Sequence, residues 1–168
     1  MASDYGDRPA ADHELVQSST LGHDKAGTTA QLSVTVPHSK DASGIARDAM
    51  RSWLATWPCP QSLAADVLLV LSELVTNAVT HAASTAQVMA TLRHDRLRLE
   101  VRDHSFGPPR LRTDGVAPGG FGLQIVATVA DEWGWCTTPS GKVVWAEHHH
   151  VETGPRGAQG TRSPSESR

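Results

Sequence analysis

Cysteine is scarce in this chain. Cys59 and Cys136 are the two, far apart and in no metal-type spacing, so neither a disulfide framework nor a thiolate metal site organises the sequence. They read as ordinary reduced thiols. Clustered positive charge is lacking too. The 15 Lys and Arg stand against 18 Asp and Glu for a net charge of -3, and no stretch is basic enough to track a phosphate backbone, which excludes nucleic acid as a direct partner. No apolar run approaches a membrane span, and Met1 to Ala30 has neither the basic start nor the apolar core of a secretory leader. With so few cysteines, these absences lead us to expect a cytoplasmic protein. Aromatic residues make up 5% of the chain, and Trp53, Trp57, Trp133, Trp135 and Trp145 fall at helical or strand spacing, which assigns them to core and surface cover.

What is present suffices for one domain. The 168 residues, 39% of them hydrophobic, can build one modest core. Residues 1–30 show no apolar periodicity, and 151–168 have almost no hydrophobic side chains; both are expected to be disordered tails flanking a domain at 31–150. Leu32, Val34 and Val36 alternate as in a half-buried strand. Ile45, Ala46, Ala49, Met50, Trp53 and Leu54 recur at helical spacing, with Asp41 or Ser43 placed to cap the start and Pro58 closing it. A longer apolar stripe from Ser62 to Ala82 predicts the main helix. A hairpin, Ala86–Arg93 with Arg96–Asp103, comes next. Then a Gly- and Pro-rich loop at 104–120 is followed by a short helix from Phe121 to Ala130, and 132–138 with 142–147 close the domain as a second hairpin.

Three pieces of this chain carry chemistry. Glu73 and Asn77, four residues apart, are neighbours on one face of the long helix and point away from its apolar stripe; a carboxylate beside a carboxamide oxygen can hold a hard divalent cation, directly or through water. Asp103 ends a strand just before Gly107, where a carboxylate can accept from an exocyclic amine and a glycine admits a flat ring close to the backbone. A turn aspartate and a solvated helix face would account equally well for either feature alone. Gly119, Gly120 and Gly122 lead into a helix whose free N–H groups and dipole favour an anion, although such an entrance also serves as a hinge or a packing corner. His148, His149 and His150 are expected to be an exposed strand end, and His81 a structural residue near a helix C-terminus.

The order E-L-V-T-N-A-V-T-H at 73–81, V-R-D-H-S-F-G-P-P at 101–109 and G-G-F-G-L-Q-I-V at 119–126 resembles the N, G1 and G2 boxes of histidine-kinase-like ATPases. With G-W at 134–135 and G-K-V-V-W-A-E at 141–147, it is most similar to the anti-sigma-factor serine/threonine kinases and their actinobacterial ATP-binding relatives. The resemblance implies an α/β two-layer sandwich of the α+β type, in which helices cover one face of a mixed, mainly antiparallel sheet. It further implies ATP with Mg2+ as the cofactor. Asn77 would ligate the magnesium, Glu73 would be the catalytic general base, Asp103 would hold the adenine amino group, and Gly107 would shape the base pocket. Gly119, Gly120, Gly122 and Leu123 would contact the nucleotide, with Gly120 and Gly122 at the phosphates and 104–118 as a lid.

Phe121 stands where many relatives carry a basic residue, so Arg110 or Arg112 would have to substitute. Val143 stands where many carry a threonine whose hydroxyl helps a water reach adenine. The partners implied are a sigma factor and its antagonist protein, with homodimerisation possible. The alternative is a non-catalytic switch that binds nucleotide to select partners. An autokinase fragment is disfavoured, because no helical hairpin bearing a phosphoacceptor histidine precedes the domain.

Overall fold

The computed structural model of the chain describes residues 17–24, 27–93, 95–109 and 121–149. Its elements run β1 (Gln17–Asp24), β2 (Gly27–Val36), α1 (Ala42–Leu54), α2 (Gln61–Ala82), β3 (Ala86–Arg93), β4 (Arg96–Asp103), α3 (Gly122–Val129), β5 (Glu132–Thr138) and β6 (Gly141–His148). The six strands form one sheet in the order β1-β2-β3-β4-β6-β5. Each described pair is antiparallel, so the expected two-layer α+β sandwich is present without the parallel strand that a mixed sheet would contain.

Alternation along the strands explains the layering. Leu32, Val34, Val36, Val88, Ala90, Leu92, Leu97, Leu99, Val101, Val144 and Ala146 are buried in one cluster with the helices. The opposite face carries polar and long side chains, among them Arg98, which pairs with Glu100 at 2.8 Å and Glu147 at 2.5 Å and lies 4.1 Å over the Trp145 ring. Partial burial alone would lower the Arg98 pKa, but these two carboxylates outweigh it and hold the guanidinium above its ordinary value. Helix α2 supplies the centre of the core through Val67, Val70, Leu71, Leu74, Val75 and Ala78. Its 22 residues, with mean hydropathy 1.6 over an 18-residue stretch, are long and apolar enough to cross a membrane by length and composition, contrary to the reading that no run approaches that length. Its apolar stripe is instead buried against the sheet and α1.

Three further expectations are corrected. The unstructured segment 1–30 contains β1 and the start of β2: Q-S-S-T-L-G-H-D has no apolar alternation, yet it pairs with β2 from Gln17↔Val34 to Asp24↔Gly27, a backbone ladder that needs no hydrophobic pattern. Asp41 occupies the α1 N-cap but makes no capping hydrogen bond, and Ser43 instead accepts from Arg47 Nη1 at 2.7 Å. His148 is not exposed. It ends β6 on the helix side, opposite Leu97, and is 2% exposed; burial lowers its pKa, with Asp131 and Asp66 acting in the other direction. His149 is half-buried. His150 and the segment 151–168 lie outside the described residues.

Candidate functional site

The site assembles where α2, α3 and the ends of β4 and β6 meet. Glu73 and Asn77 lie one turn apart on α2, both half-buried, and neither is hydrogen-bonded or ion-paired to a described residue. The start of α3 sits directly on Glu73: a Cβ built at Gly122 would fall 2.6 Å from Glu73 Oε2 and 3.5 Å from its Cβ. Glycine is therefore what lets the helix entrance approach this carboxylate. The structure thus joins the N-box pair to Gly122, with Leu123 buried behind it at 3% exposure. Phe121, the α3 N-cap residue, is 45% exposed and provides no side-chain cap. Gln124 N and Ile125 N donate to Phe121 O, so the N–H groups left without an intrahelical acceptor are those of Gly122 and Leu123, and these can receive an anion beside the Glu73/Asn77 face. Gly119, Gly120, Arg110 and Arg112 lie outside the described residues.

Asp103 is 2% exposed at the end of β4. Its Oδ1 accepts from Ser105 N at 2.8 Å, Ser105 Oγ at 2.7 Å and Lys142 Nζ at 2.9 Å. The Asp103 backbone is fixed from across the sheet by Gly141, at φ 146°, where a Cβ would meet Asp103 O at 2.0 Å; no larger residue fits this position. Gly107, by contrast, has nothing among the described residues within 4 Å of a built Cβ, so none of them blocks a planar ligand at the loop. Sequence reasoning missed Ser105, Gly141 and Lys142. It placed Val143 towards the base, but β6 pairs Lys142 with Asp103 and Val143 with Arg102, which puts Val143 on the opposite face.

Two cavities lie elsewhere: one of about 630 Å³ at the α1–α2 connection, lined by Arg51, Trp57, Cys59 and Leu68 among others, and one of about 380 Å³ between Lys40, Ser43, Thr76 and Thr80. Neither touches Asp103, Gly107 or Gly122. Burial raises the Cys59 thiol pKa, which suits an inert cysteine.

Residues 36–147, more than half of the chain, match the histidine kinase-like ATPase domain. The chain belongs to this family. Membership implies ATP binding, and the structure joins the first and third motifs through Glu73 and Gly122. Among solved structures, the chain is similar to the RsbU and RsbW domains of Rv1364c from Mycobacterium tuberculosis, with a TM-score of 0.58 and 24% identity over 73% of this chain and 33% of that one. It thus spans about a third of the length of that protein, and the likeness concerns the fold. No curated protein matches the chain.

The residues present fit Mg-ATP. Glu73 and Asn77 offer two oxygen functions on one helix face that have no hydrogen-bond partner among the described residues, of the kind a hard cation with several of its own waters accepts, and Glu73 Oε2 occupies the space that a Cβ at Gly122 would need. Among the described residues no group of three or more His, Cys, Asp or Glu could hold a metal by itself, so the cation would share its ligands with the phosphates.

Proposed function

We propose that this domain is a cytoplasmic anti-sigma regulator that binds Mg-ATP and phosphorylates a serine or threonine hydroxyl on an antagonist protein. The observation that carries the reading is the Glu73–Gly122 contact, which sets a carboxylate against an anion-accepting helix entrance and one turn from Asn77. Bound nucleotide would supply the phosphoryl group, and its magnesium the charge neutralisation. Asn77 would orient that cation through its side-chain oxygen. Glu73, with no hydrogen-bond partner among the described residues and packed against the start of α3, would take the proton from the attacking hydroxyl. Leu123, buried beneath the entrance, would help keep water out.

The test is Glu73→Gln, nearly isosteric, assayed for Mg-ATP affinity and for transfer of labelled phosphate to the antagonist. Retained affinity with transfer reduced roughly 10²–10⁴-fold supports a general base; transfer at the wild-type rate removes Glu73 from that role. One feature favours a second reading. The exposed Phe121 at the α3 entrance brings no positive charge to the phosphates, as suits a module that binds ATP only to change its affinity for partners. Wild-type protein that transfers no phosphate, yet whose partner affinity responds to ATP, would establish the switch.

A further inference from the structure

Helix α2 carries more than the Glu73/Asn77 pair on its polar side. Glu73, Thr76, Asn77 and Thr80 stand at i, i+3, i+4 and i+7, which sets them on one stripe of the helix. Thr76 and Thr80 line the cavity of about 380 Å³, together with Ser43 in the first turn of α1 and Lys40 on the connection before it. The cavity therefore continues the stripe that bears Glu73 and Asn77.

The register of the sheet brings Lys40 to the same end of the molecule as Asp103. β2 closes at Val36, opposite Ala86 where β3 begins, and Gln87 pairs with Arg102, one residue before Asp103. The connection 37–41 leaves the sheet at that end.

The terminal phosphates of a nucleotide call for a cation, and Phe121 brings none to the α3 entrance. The other lysines and arginines among the described residues are placed elsewhere or already engaged. Arg93 and Arg96 stand at the opposite end of the sheet, and Arg98 and Arg102 lie on the face turned away from the helices. Lys142 is paired with Asp103. Arg51 pairs with Asp48 at the far end of α1, and Arg47 donates Nη1 to Ser43 and Ser72. Lys40 is exposed and has no hydrogen-bond or ion-pair partner among the described residues. Its compact ammonium, with three donors on a flexible stem, suits a phosphate.

We propose that Lys40 is a phosphate-binding residue of this site: its ammonium extends along the cavity, past Thr76 and Thr80, and donates to the oxygens of the terminal phosphoryl group of Mg-ATP. It supplies from the α1 side the positive charge that Phe121 does not supply from α3. The inference rests on the Mg-ATP reading and adds to it the group that tells ATP from ADP.

The test is calorimetry on the full chain with magnesium, titrating ATP and ADP into wild type, Lys40→Met and Lys40→Arg. Lys40→Met is expected to bind ATP about tenfold more weakly than wild type, the scale of one charge-assisted hydrogen bond, and ADP with unchanged affinity; Lys40→Arg, which keeps the charge, is expected to restore ATP affinity. Unchanged ATP affinity in Lys40→Met overturns the role of Lys40 while leaving ATP binding intact. So does an equal loss for ATP and ADP, which places the effect away from the terminal phosphate, and so does a loss that Lys40→Arg shares in full, which assigns it to the shape of the connection. Absence of ATP binding by the wild type overturns the nucleotide reading and this inference with it.

Discussion

Replacing Gly122 by alanine separates the fold of this protein from its chemistry. The added Cβ would lie 2.6 Å from Glu73 Oε2, whereas ordinary contact begins at 3.4 Å. The carboxylate must therefore retreat by about 0.8 Å, on the scale at which misplacement costs on the order of 10²-fold in rate. The atom that gives way is the end of a flexible side chain, and the next contacts, at 3.5 and 3.6 Å, are already tolerable. Alanine also favours helix over glycine by about 0.5–1 kcal/mol, which offsets the small strain. We therefore expect Gly122→Ala to keep its melting temperature within a few degrees of wild type. Its Mg-ATP turnover, measured as labelled phosphate transferred or as ADP released, should fall on the order of 10²-fold. Circular dichroism melts and a turnover assay on the same preparation suffice. A variant that folds and turns over like wild type would refute the reasoning, because the Glu73–Gly122 contact would then be packing without function.

Two further outcomes follow from the same geometry. Asn77→Ala, which removes a half-buried amide with no described protein partner, should leave stability within about 1 kcal/mol and weaken Mg-ATP affinity by about 10- to 100-fold, equivalent to about 1.4–2.8 kcal/mol; calorimetry with unchanged affinity would remove Asn77 from the cation site. His148 has a pKa lowered by burial, so the unfolded chain binds its proton more readily than the folded one. The stability this confers is present above the ordinary histidine value of about 6.5 and is lost as pH falls below it. Thermal melts across this range should show a steeper acid-side decline in wild type than in His148→Phe, and parallel curves would mean that the ring takes up its proton as readily in the fold as in the unfolded chain.

Much of this architecture can be read from periodicity. The stripe on α2, the β3–β4 hairpin and the short helix after the glycine-rich loop each follow a local rule, and the structure bears them out. What escaped has physical causes. β1 is an edge strand joined through backbone pairing, so its side chains carry no alternation to detect. In β6, residues Gly141, Lys142, Val143 and Val144 are all buried; with both faces covered, alternation vanishes and K-V-V gives no sign of which side chain meets Asp103. That choice belongs to the β4–β6 register, a long-range property. The union of Glu73 with Gly122 was implied by family resemblance alone, since 49 positions of sequence separate the two and no local pattern joins them.

The position of β6 bears on how the protein comes into being. This strand is inserted between β4 and the outer strand β5, although it is the last of the nine elements among the described residues. Until it docks, β4 presents an unpaired edge of N–H and C=O groups, a template for association with other chains. Asp103 meanwhile lacks Lys142, its partner 39 residues onward. During synthesis the helices and the first four strands can gather around α2 before this happens, because their contacts are closer in sequence. Closure of β6 then completes the Asp103–Lys142 ion pair and covers the β4 edge in a single event, leaving β1 and β5 as the outer strands.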